Sequence, residues 1–410
     1  MHPPKRKNPV LRTRLPTLPP AARSRIALGL TAAAALGRFE LQQCRDCGTV
    51  QYPPREVCQK CVSVNLSWQQ QPSDGELLAQ TVLHHSNDLF FRERLPWRLG
   101  LVKLDCGPAV VAHLHGLIEK PPTRVHIRAM LDRAGQAVLA ALPAKETPDM
   151  ADDRQLREFT CDPKHRKVLV TDGKTGVGQE IVRSLGRANA ELIWVGYAEP
   201  WKKFPGFDEL SEIPQVTLVP LDITDSKNVR ELAAEIGGKV DVVVNNAEYH
   251  RSFGIASRRG VETARAEIDV NYFGLLRLAQ EFGPAMRSRG ADGQASAVAW
   301  VNLLSVYALA NFPPHGTFSA SKAAAHSLAQ CLRAEMRPAG VRVVNVFPGP
   351  IDDEWNQLLP PPKLAPAALA AAIVSALREG IEDLYPGDVA QEWLARWRDN
   401  PKALERELSA

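Results

Sequence analysis

The chain of 410 residues is poor in aromatic side chains, at 6%, and holds only seven cysteines. Four of the seven fall in two C-x-x-C pairs, and Cys106, Cys161 and Cys331 are scattered and expected to be buried thiols. That usage excludes a disulfide scaffold and fits a reducing compartment and a bound metal. Long apolar runs are also missing. A bilayer crossing needs about 20 apolar residues, whereas "RIALGLTAAAALG", residues 25–37, offers 13. It lies late for a secretory signal and leads directly into the paired-cysteine segment, so it reads as a short helix packing on its own domain or on a partner. A cytoplasmic protein with no membrane segment is the expectation.

Acidic residues are absent from the first 25 positions, which carry Lys5, Arg6, Lys7, Arg12, Arg14, Arg23 and Arg25. Removing those seven charges from the formal net charge of +4 leaves −3 for the rest. The body therefore lacks the basic surplus that nucleic-acid binding needs. The basic, proline-rich start reads as a disordered tail, with partner docking as the alternative.

The length calls for two or three domains. Residues 1–37 form the tail and docking helix, and 38–66 are short, turn-rich and cysteine-paired. Residues 67–142 read as short strands, among them "GELLAQTVLHH", "WRLGLVKLD" and "AVVAHLHGLI", which suggests a small barrel. The polar, unpatterned stretch 143–165 reads as a linker. From 166 to 410, apolar runs such as "KVLVT", "ELIWVG" and "VDVVVNNA" alternate with helix-length periodic segments. That pattern means a parallel sheet covered on both faces, a doubly wound α/β domain.

"CRDCGTVQYPPREVCQKC" sets Cys44, Cys47, Cys58 and Cys61 as two knuckles separated by ten residues. Four thiolates complete a tetrahedron around one ion and leave no open position, so the zinc is expected to be structural. His84, His85, His113 and His115 read as barrel surface. Over about 36–142 the segment "FELQQCRDCGTVQYPPREVCQKC" and the following "PWRLGLVKLDCG" resemble the zinc-ribbon/OB-fold proteins that accompany thiolases and related CoA-ester enzymes. The resemblance implies a rubredoxin-like ribbon and an OB-type barrel, with a thiolase-like subunit as partner.

Residues 165–355 resemble the short-chain dehydrogenase/reductase family in motif order and spacing, which implies a Rossmann-like fold and NAD(P). "VTDGKTGVG" stands where that family has its glycine-rich diphosphate loop. Gly176 and Gly178 match the last two glycines, whereas Asp172 replaces the first and Gly173 follows it. A carboxylate there is expected to repel a diphosphate. Gly196 and Tyr197 stand where a ribose-selecting acid or base is usual. Asp222 in "LDIT" matches an adenine contact, and Asn245 opens "NNAE", in which Glu248 replaces a glycine. Asn271, Ser305 and Lys322 match the family's active-site asparagine, serine and lysine, but Phe318 stands at the catalytic tyrosine. Asp353 replaces a nicotinamide-contacting threonine. Tyr307, two residues past Ser305 on the same strand face, reads as a buried or interface tyrosine, with a substitute hydroxyl as the alternative.

Two readings follow. In the first, the chain is a non-catalytic accessory subunit: the ribbon and barrel dock a thiolase-like enzyme, and the dehydrogenase-like half pairs with an intact relative or a second copy around acyl-CoA intermediates. In the second, it is an unusual NAD(P)-dependent 3-hydroxyacyl-CoA dehydrogenase or 3-oxoacyl reductase fused to a thiolase adaptor. The altered loop, ribose selector, nicotinamide contact and acid favour the first.

Overall fold

The computed structural model describes residues 17–145, 149–257, 259–291 and 296–409. The basic start expected as a tail, residues 1–16, lies outside the described residues. The chain forms two compact units, one of residues 17–162 with 376–382, the other of 163–375 with 383–410.

In the first unit, β1 (Glu40–Cys44) lies between β2 (Val50–Gln51) and β3 (Leu66–Gln70) in an antiparallel ribbon. Five further strands close a barrel in the order β4-β5-β6-β8-β7. They are β4 (Asp74–Leu83), β5 (Trp97–Leu104), β6 (Ala109–Leu114), β7 (Thr123–Leu131) and β8 (Ala137–Pro143). Closure leaves no free edge for foreign strands. The alternating inward residues Leu77, Val102, Leu114 and Ile127 form its core, and Leu30 and Ala34 of the helix Leu28–Ala34 pack on the same cluster. Gly29 on that helix is required by contact: a Cβ there would stand 2.1 Å from the Trp68 ring.

The stretch expected as a linker is packed instead. Met150, Leu156 and Phe159 join Phe90, Trp97 and Leu142 in a second buried cluster. Asp149 and Asp153 cap the short turns there, the Asp153 carboxylate accepting from the N–H groups of Gln155 and Leu156. His113 and His115 also depart from a surface role. The Trp97 indole donates to His113 Nδ1 at 2.8 Å, and burial pushes the His113 imidazole down to about 4; His115 is buried. Of the three scattered thiols only Cys161 is buried, and Cys331 is exposed.

Residues 376–382 complete this unit from far along the chain. The Cys161 N–H donates to Leu377 O at 2.9 Å, Thr160 Oγ1 to Arg378 O at 2.8 Å, and Glu382 N–H to Ala35 O at 2.8 Å. The dehydrogenase-like block is thus interrupted rather than continuous to residue 410.

The second unit is built on seven parallel strands in the order β11-β10-β9-β12-β13-β14-β15. These are β9 (Lys167–Val170), β10 (Leu192–Tyr197), β11 (Val216–Pro220), β12 (Val242–Asn245), β13 (Ala299–Leu303), β14 (Arg342–Val346) and β15 (Asp383–Leu384). Their largely apolar character follows from helices on both faces. The strand order reverses between β9 and β12, which opens a crevice at their C-terminal ends. Beneath the sheet, Arg289 donates to Asp241 Oδ1 at 2.5 Å and to Val240 O at 2.6 Å, with both side chains buried. Arg289→Met removes the ionic partner of Asp241 Oδ1 and leaves the carboxylate with the Lys167 N–H, 2.9 Å from Oδ2. The expected loss in urea denaturation is about 3 kcal/mol, at the low end for a broken buried pair, because burial already raises this carboxyl and it can take up a proton.

Candidate functional site

The knuckles bring the four cysteines together. Gly48 N–H donates to Cys44 O at 2.9 Å and Val62 N–H to Cys58 O at 3.0 Å, so each turn folds back on its first cysteine. All four Sγ atoms lie within 4.8 Å of one another, with Cys44–Cys61 and Cys47–Cys58 each at 3.6 Å. Zinc–sulfur bonds of about 2.3 Å at tetrahedral angles give sulfur–sulfur edges of about 3.8 Å. The donor set fits a closed structural zinc site.

In the second unit, a cavity of about 410 Å³ runs along the crevice. Its wall includes Lys174 to Val177 at the start of the helix Gly176–Arg187, Tyr197 after β10, Asn246 and Glu248 after β12, and Ile351 to Trp355 after β14. Glycine is needed at 173 and 178 because a Cβ would stand 2.0 Å from Val195 Cγ1 in the first case and 2.4 Å from Asp172 O in the second. The first-glycine position itself is different from expectation. Asp172 adopts φ +50° and its carboxyl turns inward, off the cavity wall, where Oδ1 has no hydrogen-bond partner. Burial raises it to about 6. It is therefore a folding liability and does not face a ligand.

Glu248 does face the cavity, and it is spoken for. Its Oε2 lies 2.7 Å from Lys322 Nζ, and Oε1 lies 3.6 Å from His250 Nδ1. Burial pulls this carboxyl upward, but the Lys322 ammonium and His250 override that and hold it at about 2. Lys322, from the helix Gly316–Met336, donates also to Leu303 O at 2.9 Å. The lysine ammonium is thus consumed by this chain's own groups.

The substrate side is filled. Phe318 is buried, and the His250 ring stacks on it at 3.8 Å between centroids with planes 12° apart. His250 Nε2 and His315 Nδ1 are 2.6 Å apart, both rings buried. Tyr307 is no substitute hydroxyl. It leaves the strand for a single turn, Val306–Ala308, capped by Ser305 Oγ accepting from Tyr307 N–H, and its ring stacks on Phe312. Burial raises its phenol well above the usual range.

The remaining expected positions do structural work. Asn271 lies in the π-helical turn Asp269–Gly274 and clamps Tyr249 through both backbone groups while donating to Ser321 Oγ. Asn245 Oδ1 accepts from Thr171 Oγ1, tying β12 to the end of β9. Asp222 caps its own turn through Thr224 and is not on the cavity wall. Asp353 is on that wall but caps the turn Glu354–Asn356. The histidine pair escaped sequence reading because residues 250 and 315 meet only in the folded unit.

Three family models match in chain order: the ChsH2 rubredoxin-like zinc ribbon domain over 31–65, the ChsH2 C-terminal OB-fold domain over 68–129, and short chain dehydrogenase over 166–362. A short chain dehydrogenase from Burkholderia cenocepacia J2315, solved in complex with NADP, is 33% identical with a TM-score of 0.55, covering 61% of this chain and 99% of that one. One from Streptomyces avermitilis is 25% identical with a TM-score of 0.51, covering 60% and 97%. Dehydrogenase/reductase SDR family member 7C of Xenopus tropicalis is 33% identical over 195 residues, 45% of this chain, which spans 60% of that relative's length. The chain belongs to the short-chain dehydrogenase family through its second unit, carried behind a zinc ribbon and OB fold of the ChsH2 type. Among the described residues no helix is long and apolar enough to cross a membrane.

Two measurements check these sites. Elemental analysis should find about one zinc per chain, and Cys44→Ser should lose it and unfold the ribbon, since a small metal domain folds with its ion. Asp172→Gly should stabilise the second unit. Well below the ordinary value of 3.8 the carboxyl is neutral folded or unfolded. Between there and about 6 the unfolded state ionises while the folded state keeps its proton, so stability drains away across that window and the loss is complete above it. The gain from Asp172→Gly in thermal melts should therefore be larger at pH 7.5, by about 1–3 kcal/mol, than at pH 4.

Proposed function

We propose that this protein is a non-catalytic accessory subunit, in which a dehydrogenase fold has been retained for association and a zinc-ribbon/OB half docks a thiolase-like enzyme acting on acyl-CoA compounds. One observation carries the reading. The Glu248 carboxylate binds Lys322 Nζ at 2.7 Å while His250 covers Phe318. The lysine, the proton donor and the space for a substrate are all lost together. General acid–base catalysis supplies about 10²- to 10⁴-fold, and no side chain at this position replaces it. The Glu248–Lys322 pair stands against use of a nicotinamide cofactor, because the lysine is already held by a carboxylate of this chain, and no hydride step is assigned.

The Burkholderia cenocepacia relative solved with NADP supports the fold's capacity for a dinucleotide, and it is the ground for the second reading, an active reductase. The test is direct. The native chain should show no reductase or dehydrogenase turnover with NADH, NADPH or their oxidised forms across short and long 3-oxoacyl- and 3-hydroxyacyl-CoA compounds. Phe318→Tyr should remain inactive, since the lysine beside it is already paired with Glu248. Turnover above background in either protein would overturn the accessory reading. Co-purification of a co-expressed thiolase-like subunit is the positive counterpart, and a full chain that stays a free monomer beside it would count against docking.

A further inference from the structure

Neither reading of the site uses the buried histidine pair. His250 stands in the loop after β12, and His315 ends the turn Pro313–His315 that leads into the helix Gly316–Met336. Their 2.6 Å contact therefore ties two loops together. Because His250 also lies on the Phe318 ring, the same tie keeps that ring covered. Beyond Tyr249, which Asn271 clamps, the His250 loop is also held by Arg251 N–H on Glu267 Oε1 at 3.1 Å, Ser252 Oγ on Trp355 O at 3.1 Å and Gly316 N–H on Phe253 O at 3.2 Å. Phe253 and Ile255 of this loop are exposed, so apolar packing does not hold them down.

A contact this short between ring nitrogens holds one proton, which one ring donates and the other accepts. When both rings are charged, each presents an N–H to the other and the hydrogen bond is lost. The groups facing the pair are Glu248 and Lys322, which satisfy each other, Glu267 of the helix Glu262–Ile268, Arg251 beside His250, and Asp353 of the turn after β14. The Tyr307 ring stands 5.4 Å from His315. Burial, and after it the neighbouring His250, depress the His315 imidazole to about 4 against the pull of Glu248.

We propose that His250 and His315 form a proton-operated latch, which holds the loop 250–257 against the turn Pro313–His315 and which acid releases, uncovering Phe318. The latch goes beyond the accessory reading and stands whether or not the chain turns over a substrate. Its direction follows from His315. Released, the ring returns to an ordinary value near 6.5; latched, it stays neutral down to about 4. Above pH 6.5 both states are neutral and the latch is at full strength. As pH falls from there to about 4, the released state binds a proton that the latched state refuses, and the strength is lost. Burial raises Glu267 and Asp353, so their protonation favours the closed loop, but their shifts are the smaller.

Hydrogen exchange of the full-length protein, read by mass spectrometry at pH 7 and pH 5 and corrected for the intrinsic rate, tests it. Amides of 250–257 and 315–318 should exchange about tenfold or more faster at pH 5, while those of β9 and β12 change by less than about twofold. His315→Asn keeps a hydrogen-bonding group near the Nδ1 position and cannot titrate, so the acid-driven rise should vanish. Native protein with the same corrected exchange at both pH values overturns the proposal. A rise shared equally by β9 and β12 also overturns it, because acid is then opening the whole unit, and that outcome needs no variant. An undiminished rise in folded His315→Asn protein does the same. Turnover assays bear only on the accessory reading, so the two failures are distinct.

Discussion

The ion pair between Glu248 and Lys322 sets the terms for the rest of the second unit. A lysine ammonium buried to 2% exposure is tolerable only with an anion or several acceptors around it. Leu303 O supplies one acceptor and the Glu248 carboxylate supplies the charge. At about 4 Å and an effective dielectric near 20, such a pair attracts by roughly 4 kcal/mol, and desolvation of both groups returns part of that. The pair is self-sufficient. Once the lysine is satisfied internally, nothing in the fold requires a phenol at position 318, and a phenylalanine stacked under His250 fills the same volume without a polar atom to satisfy.

Asp172 and Glu248 show why a sequence-level statement about charge needs geometry before it becomes a statement about binding. Both place a carboxylate where the short-chain dehydrogenase pattern has glycine. Asp172 leaves Oδ1 without a hydrogen-bond partner, and burial outweighs Lys174 and holds its carboxyl at a raised pKa. Glu248 finds Lys322 and His250, stays ionised and faces the cavity. One is a cost to folding and the other redefines the site. Composition and spacing are identical in kind; the difference is whether the counter-charge makes direct contact, as Lys322 does with Glu248 at 2.7 Å, or is outweighed by burial, as Lys174 is at Asp172.

That distinction also marks what could be read from the chain. The seven-stranded parallel sheet, the five-stranded barrel and the four-cysteine cluster were legible because each rests on local signals: apolar runs, alternation and C-x-x-C spacing. Asn271, Ser305 and Lys322 lie in the dehydrogenase-like unit, but their partners were not legible. Tyr249, Ser321 and Glu248 are assigned to them by tertiary placement. Residues 149–162 looked like a linker because Met150, Leu156 and Phe159 follow neither helical nor strand period; short capped turns bury them one at a time. Asp222 looked like a cofactor contact for the opposite reason, since the same Asp-x-Thr arrangement also closes a turn on itself.

The return of residues 376–382 to the first unit has a thermodynamic consequence that no local pattern announces. Cys161 and Leu377 are hydrogen-bonded neighbours in space, although roughly 210 residues lie between them in the chain. Closing so long a flexible loop costs several kcal/mol of entropy, growing with the logarithm of its length. Folding of the intervening residues restricts their freedom and so lowers that cost before the segment docks. Thr160, Asp162 and Ala35 then hold the returning segment through Arg378 and Glu382. The first unit thus draws on the folding of the chain between its two parts even if that part turns over no substrate. Removing the intervening fold would leave the barrel-bearing unit to close that loop unaided.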